Sequence, residues 1–180
     1  MKKIIRIVLA LVVIVVLVGL SIHFATSNER VSKQFAEQLF QYSLPEDTVL
    51  ISKHQFNGKN FLDGGGSGGY WNVVANMELS SSLSEQEVLQ YYQDAELFLF
   101  PDSERRGVEL ELYFVQDSEK IAIHSNPLEF YYRDKDKRIR TVDSYPHPVE
   151  ATGLITTEQQ GQTKYILQLT SGFDYFWNWD

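Results

Sequence analysis

The residues best suited to chemistry are two glutamates, Glu109 and Glu111, set two positions apart in a stretch whose apolar residues alternate. On an extended strand they share one face about 6.5 to 7 Å apart, a separation that overlaps the range of carboxylate pairs in inverting glycoside hydrolysis. That reaction needs one acid kept protonated by its surroundings, and it needs a cleft. A solvent-facing strand also carries neighbouring acids on one face. On that second reading Glu109 and Glu111 pair across strands with Arg138 and Arg140.

The remaining reactive groups lack the spacing that chemistry would require. His54, His124 and His147 are 70 and 23 residues apart, unlike a metal-binding pair on one helix. Asp134-Lys135-Asp136 opens like a calcium loop, but its twelfth position is Tyr145 and its sixth is not glycine. The serines form no Gly-x-Ser-x-Gly elbow. With no Cys in the chain, disulfides, thiol nucleophiles, iron–sulfur clusters, thiolate zinc sites and a lipid-modified cysteine anchor are all excluded. No catalytic, cofactor-binding or metal-binding residue is assigned, and no cofactor is expected.

Three segments have the composition of binding elements. Residues 64 to 69 hold five glycines, but Tyr70 and Trp71 follow where a phosphate loop needs Lys and Ser or Thr. A permissive hairpin connection is the simpler reading. Residues 133 to 140 hold five basic residues and two acids, the pattern of a solvated hairpin tip or an anion patch. The last eight residues hold five aromatics, each able to bury roughly 150 to 250 Å². They can dock as a final strand, add to a partner's sheet edge, stack on a sugar, or enter a membrane interface. Tyr70, Trp71, Tyr175, Trp177 and Trp179 form the candidate binding surface.

The elements that position these residues start with an apolar run. Ile4 to Ala25 is long enough to cross a bilayer, which takes about 20 residues, and it has no polar stripe. Lys2, Lys3 and Arg6 precede it, so the positive-inside rule places residues 1–6 in the cytoplasm, 7–25 in the membrane and 26–180 outside. A cleaved signal peptide is the competing reading, with poor cleavage sites: a cut after Ala25 puts His23 at the −3 position. From Glu29 onward, 13 of the 16 basic residues face all 24 acidic ones, a net charge of −11. That balance excludes generic nucleic-acid binding.

Between Glu29 and Ser43 apolar residues recur at helical spacing until Pro45 forbids continuation. Thr26 to Asn28 can be a hinge or caps. Ser84 and Glu87 form a capping box, with Leu83 and Val88 as its hydrophobic staple, which predicts a helix from Glu85 to about Asp94. Its Tyr91 and Tyr92 are read as packing residues. Strands are predicted at 48–52, 70–79, 108–115, 120–124, 128–133, 138–142, 152–156 and 163–169, and those of the second half follow one another too closely for crossover helices. In the 108–115 strand Val108, Leu110, Leu112 and Phe114 point inward, and Glu109, Glu111, Tyr113 and Val115 point outward. The expected fold is α+β: an apolar N-terminal helix, then one domain with an antiparallel meander and two helices on one face.

A basic start, one apolar helix, no Cys and a small acidic domain resemble, in architecture, the membrane-anchored exported proteins of Gram-positive Firmicutes. The resemblance implies a single-pass signal anchor at the cell membrane and carries over no functional residue. The expected function is a tethered extracytoplasmic domain that interacts with a protein of the cell envelope and has no enzymatic activity. The alternatives are a glycan-active enzyme using Glu109 and Glu111, or a carbohydrate or small-ligand module using the aromatic residues.

Overall fold

The computed structural model describes residues 2–59, 70–101, 106–125, 128–136, 138–145 and 162–174. Helix α1, Lys2–Ala25, has an Ile4–His23 stretch that is long and apolar enough to cross a membrane and is not buried against the domain. Helix α2, Ser27–Phe40, follows after the single residue Thr26. The Thr26 N–H donates to Ile22 at 3.0 Å and the Arg30 N–H donates to Thr26 at 3.1 Å, so helical hydrogen bonding crosses the junction. Arg30 also reaches back across it and donates to His23 Nδ1 at 3.2 Å. The possible hinge is therefore one loosened residue inside an almost continuous helix.

The main sheet holds β1 (Thr48–Lys59), β2 (Tyr70–Ser81), β5 (Glu111–Phe114) and β8 (Thr163–Asp174). All its neighbours are antiparallel, in the order β1-β2-β8-β5. Lys59 lies opposite Trp71, so the glycine-rich segment, itself outside the described residues, joins the two strands of a hairpin. Helix α3, Glu85–Tyr92, starts at the capping box: the Glu87 N–H donates to Ser84 Oγ at 3.3 Å and the Ser84 N–H donates to Glu87 Oε2 at 2.8 Å. The pair β3 (Phe98–Leu99) and β4 (Gly107–Val108) is short. A Cβ at Gly107 would stand 2.5 Å from the Phe98 carbonyl oxygen, so only glycine permits that approach.

One face of the sheet meets both helices. Val73, Ala75, Met77 and Leu79 of β2, Leu167 and Leu169 of β8, and Leu112 and Phe114 of β5 pack on Phe35 and Leu39 of α2 and on Val88 and Tyr92 of α3. Tyr92 is a packing residue whose hydroxyl meets that of Tyr165 at 3.3 Å. The architecture is mixed α+β with a meander-like strand order. The opposite face is covered too, by a ribbon of β6 (Ser118–Ser125) and β7 (Leu128–Asp134).

That ribbon corrects three expectations. The strand expected over 108–115 is broken at Glu109 and Leu110, and its outer face is not solvent: Glu111 and Tyr113 are buried beneath the ribbon. The strand expected over 138–142 is reduced to one bridge, Glu111 to Thr141, and a turn at Val142–Ser144, because this segment closes the edge of β5 through the Leu112 N–H donating to the Arg140 carbonyl. Arg140 does not pair with either glutamate. Its Nε donates to Asp134 at 2.6 Å across the tight turn. The strand expected at 152–156 lies outside the described residues.

Candidate functional site

The sheet register sets four polar residues side by side on the ribbon-covered face. His54 lies opposite Asn76, Asn76 opposite Gln168, and Gln168 opposite Glu111, one residue from each of the four strands. Period-two alternation puts all four on one side, because their strand neighbours Ala75, Met77, Leu167, Leu169 and Leu112 fill the helix-covered core.

Gln168 ties this row to the ribbon. Its Oε1 accepts the Tyr132 N–H at 2.8 Å, and its Nε2 donates to the Tyr132 carbonyl at 3.1 Å and to Glu111 Oε2 at 2.7 Å. The side-chain amide thus satisfies both backbone groups of a β7 residue as a strand would. The Tyr113 hydroxyl donates to the same Glu111 oxygen at 2.7 Å. One row along, Glu78 accepts from the Tyr132 hydroxyl and pairs with Lys120 at 2.8 Å. The Lys120 ammonium stands 4.5 Å from the Phe130 ring centre, and His54 stacks on Phe130 at 4.8 Å with the rings nearly parallel.

Burial governs the electrostatics of this layer. It pushes the Glu111 carboxyl above the ordinary range, more than the opposing hydrogen bonds from Tyr113, Thr170 and Gln168 and the charge of Arg133 bring it down. For Glu78 burial acts in the same direction but is outweighed by Lys120 and Tyr132, so its carboxyl stays below the usual range. Burial lowers His54, against the pull of Glu129 and with the push of Lys120. Asn76 is 1% exposed, and among the described residues neither of its amide atoms, nor His54 Nε2, has a hydrogen-bond partner. Groups so enclosed demand polar company.

A neutral buried carboxyl is a possible proton donor, but Glu111 is 4% exposed and both of its short hydrogen bonds come from residues that hold the layer together. Glu109 is exposed, in the piece between β4 and β5. The two carboxylates therefore stand in different surroundings and do not form the face expected of a glycosidase pair. Gln168, Asn76, Tyr132 and Glu78 were not singled out from sequence, because polar residues alternating with apolar ones read as a solvent face. The one sequence signal of a second covered face is the run of three aromatics, Phe130, Tyr131 and Tyr132, in the ribbon.

The other candidate residues are distributed as follows. Trp71 is half-buried against the helix-covered core, and its indole N–H donates to Ser32 Oγ of α2 at 2.9 Å. Tyr70 opens β2, opposite Asp174. Tyr175, Trp177 and Trp179 lie outside the described residues, as does His147. In the basic segment, Asp134 is buried and accepts from the Arg138 N–H at 2.7 Å as well as from Arg140, Arg133 lies over the Tyr131 ring, and Lys135 donates to the Gln116 carbonyl. The charges of Arg133, Asp134, Lys135 and Arg140 are engaged within the domain, whereas Arg138 contributes its backbone N–H. Lys2, Lys3 and Arg6 sit in the first turns of α1.

Among the described residues, β1 stands at one end of the main sheet with its outer side unpaired. Within those residues it pairs with β2 alone, and its consecutive residues Val49, Leu50 and Ile51 are 65%, 42% and 52% exposed. A bulge between Leu50 and Ser52 interrupts the register there. Compared with protein-family models, curated proteins and solved structures, the chain matches none, so the reading of its function rests on this geometry.

Proposed function

We propose that the protein is a single-pass, membrane-tethered extracytoplasmic interaction domain that binds a protein at the cell envelope. The observation that carries this reading is that an apolar, unburied helix of spanning length runs by helical hydrogen bonds into α2, whose Phe35 and Leu39 sit in the core. An anchor so joined holds the domain at a fixed height, raising its effective concentration for partners beside the membrane. Lys2, Lys3 and Arg6 favour a cytoplasmic N-terminus. The β1 edge supports a protein partner: among the described residues no strand pairs with its outer side, and consecutive exposed apolar residues on such an edge invite an added strand. Glu109 and Glu111, in their separate surroundings, lend no support to glycan chemistry.

The test uses native membranes washed with alkaline carbonate. Full-length mass in the pellet, with the domain digested only from outside, supports the tether; a soluble product lacking the first twenty to twenty-five residues overturns it. In the same membranes a photocrosslinker at Val49 or Ile51 is expected to give one shared adduct that a crosslinker at Glu109 does not. Equal labelling from all three positions would remove the edge as the binding surface.

A further inference from the structure

Helix α2 keeps one side free of the domain just where the membrane span ends. Its buried residues Ser32, Phe35, Ala36 and Leu39 form one stripe, and at about 100° per residue Arg30 and Gln34 fall on the opposite side, where both are exposed. Helical hydrogen bonding through Thr26 carries that side back into α1. Two turns before Arg30 it holds His23, also exposed, and the two side chains meet.

The depth of this contact follows from the length of the span. Ile4–His23 is 20 residues, about 30 Å of helix, which equals the hydrocarbon thickness of a bilayer, so His23 marks the start of the headgroups. That layer is roughly 5 to 8 Å deep. The backbone of Arg30 stands about 10 Å beyond His23, but side chains of a helix lean toward its N-terminus. Arg30 does so: its terminal nitrogens lie 3.2 Å from His23 Nδ1 and 3.5 Å from Nε2. The guanidinium is thereby brought down to the level of lipid phosphate.

Its charge has no counterpart in the domain. Among the described residues no carboxylate pairs with Arg30, although α2 also carries Glu29 and Glu37. A neutral imidazole offers one lone pair, so His23 takes at most one of the five guanidinium N–H groups. The others form a planar fork that fits two oxygens of a phosphate. Lys33, exposed and one turn further on, adds a second positive charge near the same surface.

We infer that Arg30, propped on His23, binds the phosphate of a phospholipid headgroup in the leaflet that faces the domain. The inference rests on the tethered reading above. A phosphate held on the side of the helix opposite the core fixes the depth of the anchor and its rotation about its own axis. It also bridges Thr26, the residue at which the helix is loosened, because His23 and Arg30 lie on either side of it.

The experiment uses the full chain with isotope-labelled arginine, reconstituted in phosphatidylglycerol vesicles in phosphate-free buffer, and reads by solid-state NMR the dephasing of arginine side-chain nitrogens by lipid phosphorus. Arg6 meets the headgroups at the other end of the span, so the measurement is made on Arg6→Lys, which keeps that charge and removes that signal. Dephasing is expected in Arg6→Lys, and Arg6→Lys/Arg30→Gln is expected to lose most of it. Its absence from Arg6→Lys overturns the inference, and this variant keeps Arg30 and the whole domain intact. Dephasing that survives Arg30→Gln overturns it too, since another arginine would then hold the phosphate. In vesicles of a phosphorus-free glycolipid supplied with inorganic phosphate, no dephasing is expected; a signal as strong as in phosphatidylglycerol would mean a free anion and overturns the lipid as the ligand. Flotation separates the two readings. Protein that fails to float with the vesicles after a carbonate wash overturns the tether and this inference together, whereas protein that floats without dephasing overturns this inference alone.

Discussion

The two faces of the sheet are covered by different means. The helix-covered face is filled by Leu, Val, Met and Phe side chains, and its cohesion comes from apolar burial. The ribbon-covered face mixes small apolar clusters around Phe56, Val74, Tyr113 and Ile166 with the row His54, Asn76, Gln168 and Glu111. Apolar burial is non-directional and insensitive to protons, whereas the ribbon depends on particular hydrogen bonds and on which carboxyls are charged. The first face holds the fold together; the second decides where one hairpin sits and under what conditions.

Substitutions on the two faces should differ in size and reach. Leu167→Ala, in the centre of the helix-covered core, should cost about 2–5 kcal/mol in urea unfolding and loosen the whole domain. A cost below that of an exposed substitution such as Val49→Ala would erase the contrast. Gln168→Leu should cost roughly 1–3 kcal/mol, because the Tyr132 N–H and carbonyl lose their partner beneath the ribbon. Its signature should be local: amide exchange in β6 and β7 accelerates while that of β2 keeps pace with the wild type. Uniform acceleration would show that the ribbon is no separate unit.

The protonation of the ribbon face gives the next test. Glu111 is held above its ordinary range, so its contribution is present at low pH and is lost as pH rises through the raised value. Glu78 is held below its range, so its contribution is present above the ordinary carboxylate value and is lost as pH falls through the lowered one. His54, lowered, adds its own loss on the acid side. Thermal unfolding of Glu111→Gln should fall less than that of the wild type on the alkaline side and match it on the acid side. Parallel curves would exclude Glu111 as the cause. Smallest of all, Ser84→Ala should cost about 1 kcal/mol by removing the cap of α3, with no change in the alkaline limb.

Much of this organisation was legible because it is local. A capping box needs four consecutive residues, and Ser84 with Glu87 marked the start of α3 to the residue. Alternation marked β2 and β8, although both strands run further than expected, to Ser81 and Asp174, since partner strands continue to satisfy their backbone groups. The candidate site was not legible. Glu111 and Gln168 are 57 residues apart, and nothing near either one states that the other will be its partner.

The sequence by itself determined the apolar helix, the helix stripes, the strand periods and the excess of acid over base. These follow from single-residue properties read at a fixed period. Tertiary structure alone decided that β8 lies between β2 and β5, that a ribbon covers the second face, that Glu111 is buried while Glu109 is exposed, and that Arg140 turns to Asp134. The physical reason is that alternation tells which side of a strand is apolar but not what lies against its polar side. Water and a hydrogen-bonded neighbour satisfy the same groups, and only the packed chain distinguishes them.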